Sequence, residues 1–190
     1  GNEIDSDLTN NTSTVAPACV NPIVPTVGTI TQPTCSVATG SVALSGLPAS
    51  GTWTVNISPA VSGATGTTGS GTTTSIGALP AGTYTVTMTD TATPTNCTTT
   101  ALVTLGAPTP VTFTTATTPV LCVGDSNGTI TVTLGVGNNN PSYTYEIIAG
   151  PQLAVAQSSN IFTGLQPGTY TVRVNSGRGC STVDTNVIVA

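Results

Sequence analysis

The chain has 190 residues, of which 5% are charged, 37% are hydrophobic and roughly a fifth are Thr, and its formal net charge is -5. Seven acids, Glu3, Asp5, Asp7, Asp90, Asp125, Glu146 and Asp184, stand against only Arg173 and Arg178, with no Lys and no His. Such a chain offers almost nothing to a nucleic-acid backbone, holds no run of roughly 20 apolar residues for membrane insertion, and lacks the common general bases of an enzyme; it predicts no cofactor either.

Val, Ile, Thr and Tyr dominate the ordered part, and these residues fit a pleated sheet, so an all-β protein is expected. The chain starts at Gly1, without Met and without the basic start and apolar run of a signal peptide, and reads as a processed or trimmed chain. Residues 1–25 are predicted to form an extended arm. In "STVAPACVNPIVPTV", Pro17, Pro22 and Pro25 forbid a helix or a central strand but suit an edge strand or a polyproline segment. The acids of "NEIDSD" alternate as calcium ligands can, yet lack the glycine turn and distal acid of an EF-hand loop; a hydrated arm is favoured.

Beyond the arm, short period-two runs are punctuated by Gly, Pro and Asn every 8–12 residues or so, the signal of a β-sandwich. The alternation predicts strands near 26–31, 40–45, 52–57, 71–76, 82–89 and 97–105, and then near 110–116, 128–134, 142–149, 152–157, 159–163, 168–175 and 180–189. The two sets are copies of one module. "ALPAGTYTV" at 78–86 returns as "GLQPGTYTV" at 164–172, and each copy carries one Cys before its second strand and one opening its last. That alignment pairs Cys35 with Cys97 and Cys122 with Cys180 in disulfides, and leaves Cys19 of the arm as a free thiol. "GAPTP" at 106–110 is a short Pro-containing linker. The expected organisation is therefore an arm, 1–25, and two tandem immunoglobulin-like (fibronectin III-like) β-sandwiches, 26–107 and 108–190. A Leu, a Pro-Gly turn and then Thr-Tyr at a strand start resemble the tyrosine corner of such sandwiches, with Tyr84 and Tyr170 in that role.

"CVGDSNGTITVTL", "PSYTYEI", "LQPGTYTVRV" and "GCSTVDTNVIV" in the second copy resemble the SprB-type repeats of cell-surface adhesins from gliding Bacteroidetes. The first copy keeps "LPAGTYTVTMTD" and both cysteines, but has "GTWTVNI" as its third strand and the insertion "SGATGTTGSGTTT". The resemblance implies a secreted, surface-displayed structural or adhesive protein. It carries over no catalytic residue.

Other features have bland readings that outweigh the sharp ones. "GATGTTGSGT" at 63–72 lacks the Lys of a phosphate-binding loop and reads as a flexible loop. Asp125 and Asn127 in "GDSNGT" suit a side-chain-capped turn better than a calcium site. Trp53, with Val55 and Ile57 on its face, reads as core rather than as a sugar platform. Thr91 in "DTA" resembles an O-glycosylation signal of Bacteroidetes.

Two functional readings follow. The first is a structural subunit of an extracellular, pilus-like homopolymeric filament, in which the arm of one copy adds to a neighbouring copy. The alternative is a ligand-binding surface adhesin module that contacts glycans or other ligands through loops such as "GVGNNNPS" at 135–142.

Overall fold

In the computed structural model of this chain, residues 24–91, 98–138, 140 and 142–190 are described. Their strands are β1 Thr26–Thr31, β2 Thr39–Ser45, β3 Trp53–Ser58, β4 Thr68–Gly69, β5 Thr73–Pro80, β6 Gly82–Asp90 and β7 Thr98–Leu105. They continue with β8 Phe113–Thr118, β9 Gly128–Leu134, β10 Tyr143–Ala149, β11 Ala154–Gln157, β12 Ile161–Leu165, β13 Gly168–Ser176 and β14 Ser181–Val189.

The fold is all-β, two successive immunoglobulin-like sandwiches. The first has sheets ordered β1-β2-β5 and β4-β3-β6-β7, the second β12-β9-β8 and β11-β10-β13-β14. The described residues divide into two compact units. One holds Val42–Ile76, Tyr84–Val103 and the described residues up to Thr29; the other holds Ile30–Ser41, Gly77–Thr83 and Thr104–Ala190.

Period-two burial explains the strands. In β3, Trp53, Val55 and Ile57 are buried while Thr54, Asn56 and Ser58 are exposed. In β6, Tyr84, Val86 and Met88 are buried and pair in register with β3, Val55 opposite Met88 and Ile57 opposite Val86. The second sandwich repeats the device with Tyr170, Val172 and Val174 in β13, and Tyr145 and Ile147 of β10 stand opposite Val174 and Val172. These side chains join Ile130, Val132, Phe162, Leu165, Val187 and Val189 in one apolar cluster. Burying each such side chain contributes roughly 1.5–3 kcal/mol.

The glycine-rich stretch expected to be a flexible loop is instead tied down. Thr68–Gly69 pairs with Trp53 and Thr54, and Val55 N–H donates to Thr67 O at 2.7 Å. Trp53 itself is 2% exposed, and its indole N–H donates to Gly71 O at 2.9 Å.

The cysteine pairing also departs from expectation. Cys35 is bonded to Cys180, with the Cα atoms 5.1 Å apart, and Cys122 is a free, exposed thiol. The pairs Cys35 with Cys97 and Cys122 with Cys180 are thereby replaced. The reason lies in the turn between β13 and β14, where Gly179 N–H donates to Ser176 O and Ser176 N–H to Cys180 O. Arg178 at that turn sends its guanidinium to the carbonyls of Pro33, Gly106 and Ala107, and Cys35 N–H returns a bond to Arg178 O. This lattice sets Cys35 against Cys180. Cys122 sits in a separate surface turn whose backbone is bonded to Asp125 and Asn127. Cys19 and Cys97, and with them the free-thiol expectation for Cys19, lie outside the described residues, as do Glu3, Asp5 and Asp7.

Candidate interaction surfaces

The residues singled out in the sequence do not converge on one place. Asp125 and Asn127 serve the turn that carries Cys122: Asp125 Oδ2 accepts from Cys122 N–H at 3.1 Å and from the Asn127 amide at 3.3 Å, and Asn127 Oδ1 accepts from Leu121 N–H at 3.0 Å. Both side chains are thus engaged in the turn. Among the described residues no cluster of His, Cys, Asp and Glu is placed to hold a metal ion, and no helix is long and apolar enough to cross a membrane. Thr91 is exposed, and its hydroxyl donates to Thr52 O at 2.6 Å.

Tyr170 is fully buried, and its hydroxyl donates to Gln166 O at 2.8 Å, four residues upstream. That is the bond a tyrosine corner makes. Burial pushes the Tyr170 phenol above its ordinary range. Gly150, at φ 135°, lies so close that a Cβ there would meet the Tyr170 ring, so only glycine serves at that point. Tyr84 is buried at the equivalent place in β6.

Three surfaces of the second unit could meet a partner. The first is the 135–142 loop. Val136 is wholly exposed at its tip, while Asn138 holds its base by donating to Thr112 O and Gly135 O and accepting from Thr112 N–H. Asn140 is buried, donates to Thr109 O at 2.8 Å, and leaves its Oδ1 without a hydrogen-bond partner.

The second is the outer face of the sheet β11-β10-β13-β14. Glu146 on β10 and Arg173 on β13 are register partners, with Arg173 Nε 2.6 Å from Glu146 Oε1. Asn175 donates to the same oxygen at 2.6 Å. The Arg173 and Asn175 bonds hold the Glu146 carboxyl below its ordinary range, and Glu146 in turn raises the Arg173 guanidinium. Val183, the register partner of Arg173 on β14, is exposed, as are Ile148 of β10 and Ile188 of β14.

The third is a groove of about 230 Å³ between the edge strands β11 and β12, walled by Leu153, Ala154, Gln157, Ile161, Phe162 and Leu165. Beside it Gln157 donates to Ser159 O and Ile161 O, and Gln166 N–H donates to Gln152 Oε1 at 2.9 Å. No periodicity marks such a groove in the sequence, because it arises between two strands that belong to different sheets.

Residues 114–152 match the SprB repeat. The matched stretch runs from β8 through β9, the 135–142 loop and β10 to Gln152 at the rim of the groove. No curated protein matches the chain. Among solved structures, one similar chain is the C-terminal 282-residue fragment of intimin, in a complex with the intimin-binding domain of the translocated intimin receptor. Identity is 13% and the TM-score 0.40, over 86% of this chain and 64% of that fragment.

Proposed function

We propose that the chain is an adhesive module carried at the cell surface or outside the cell, binding its ligand through the second sandwich. The observation that carries this reading is the SprB-repeat match over residues 114–152, which takes in strands of both sheets and the loop that exposes Val136. The domain boundaries that go with it are an arm to residue 25 and modules over 26–107 and 108–190. A disulfide within the described residues suits an oxidising, extracellular setting. Thr91 is the place proposed for O-glycosylation, and the readout is the mass of its peptide. The test of the adhesive reading is retention of the purified chain on a glycan array and on protein-coated surfaces. Saturable binding weakened by Val136→Asp is the expected result, and no binding on any surface would sink it.

A second reading is the extracellular homopolymer, in which the arm of one copy adds to the next. What favours it is the second half of the arm, an uncharged run from Ser13 to Pro25 in which prolines recur at 17, 22 and 25. A head-to-tail contact of that kind does not close on itself and extends into a fibre. Electron microscopy of the chain with and without residues 1–25 tests it: filaments that persist after truncation rule the arm out.

A further inference from the structure

We infer that the groove between β11 and β12 receives residues 14–20 of the arm of a second copy; this rests on the homopolymer reading and names its acceptor. Among the described residues, β11 and β12 end their sheets on one flank of the second sandwich; on β12, Ile161 N–H donates to Ser159 Oγ and Ile161 O accepts from Gln157, which leaves β11 as the edge for an added strand. The opposite flank is closed by its own hydrogen bonds. There Thr115 donates to Asp184 at 3.2 Å, Thr182 to Val111 O at 2.7 Å, and Val120 N–H to Ala190 O at 2.8 Å.

The first sandwich carries a different connection on the same flank. There β3 and β5 take the places of β10 and β12 in the sheet order. The chain's own segment 66–72 lies across them: Thr67 O accepts from Val55 of β3, and Gly66 O from the Thr74 hydroxyl of β5. In the second sandwich β11 takes the place of β4 in the sheet order, beside β10. Its flank keeps the groove, with Leu153 72% exposed in the lining and Val155 of β11 87% exposed. Large apolar side chains in that position are what an added strand would cover.

The arm fits this acceptor in three respects. The stretch 13–24, "STVAPACVNPIV", carries no charge, and neither does any residue lining the groove, so docking strands no ion away from water. The side chains of residues 14–20 are small, with Ala16, Pro17, Ala18 and Cys19 at the centre, so the strand can approach the edge closely. In an extended segment Thr14, Ala16, Ala18 and Val20 direct their backbone groups to one side, and the missing N–H of Pro17 falls on the other. The segment therefore pairs as an edge strand with its proline facing away, the mode in which a peptide adds to a sheet edge.

Cys19 supplies the test. Full-length chains labelled with light and heavy nitrogen, each carrying Leu153→Cys, are mixed before assembly and treated with a short bismaleimide. The expected product links Cys19 of one isotope to position 153 of the other; Val136→Cys on the far loop serves as control and gives none. Absence of the link, links confined to one isotope, or equal linking to position 136 overturns the inference. In parallel, Leu153→Arg on the exposed rim is expected to abolish filaments without lowering the melting temperature. Filaments unchanged in that variant overturn the groove but leave the homopolymer reading standing. If the unaltered chain forms no filaments, the homopolymer reading fails, and the mixed-isotope link alone decides the groove.

Discussion

Cys180 at the head of β14 is bonded to Cys35, 145 residues upstream. Closing so long a loop restrains the unfolded chain by about 5 kcal/mol on the chain-entropy account, comparable to the whole stability of many domains. Peptide mapping without reductant is expected to return the Cys35–Cys180 pair, and alkylation of the folded protein to label Cys122. Cys180→Ser should lower the denaturation midpoint sharply. Recovery of a Cys122–Cys180 peptide would contradict the arrangement.

Arg178 is 8% exposed, and its guanidinium is satisfied by three backbone carbonyls, those of Pro33, Gly106 and Ala107. A planar fork with several donors can serve them together, and an ammonium cannot. Arg178→Ala is expected to cost about 3 kcal/mol, because buried carbonyls lose a charged donor. Arg178→Lys should recover less than half of that. Urea denaturation is the measurement, and a loss below about 1 kcal/mol for the Ala variant would show the bonds to be incidental.

Tyr170→Phe removes one hydroxyl and leaves the ring packed on Gly150. The expected loss is about 1 kcal/mol, that of a neutral hydrogen bond with its carbonyl partner left behind. Gly150→Ala, which puts a methyl against the same ring at φ 135°, should cost more. Reversal of that order in thermal melts would mean that the corner is held by its hydroxyl rather than by packing.

Glu146 has a folded-state pKa held below its ordinary value by the bonds from Arg173 and Asn175. A lowered carboxylate contributes stability that is present above its unfolded value, about 4.3, and is lost as pH falls through the folded one. The melting temperature is therefore expected to fall on acidification below that value, and Glu146→Gln to flatten the fall. Arg173 is well exposed, so the change is modest and shrinks with added salt. An unaltered acid limb in the variant would assign the dependence to other carboxylates.

The sequence by itself determined the strands other than β4, because period-two alternation is a local property and β4 carries none. β1 and β9 fall where the alternation places them, and most others within two residues of it. The inward Tyr170 was legible for the same reason, and "LQPGTYTV" carries the turn that brings its hydroxyl back to Gln166. Copy-to-copy alignment also placed Cys35 and Cys122 ahead of β2 and β9 and Cys180 at the entry to β14, but partnership between them is a matter of distance in space. Only the tertiary structure could decide it, through the Ser176–Cys180 turn and the reach of Arg178 to carbonyls some 71 to 145 residues upstream. The groove between β11 and β12 was hidden for a like reason. Whether an edge is covered depends on which strands of two different sheets end up side by side, and no local pattern of residues records that.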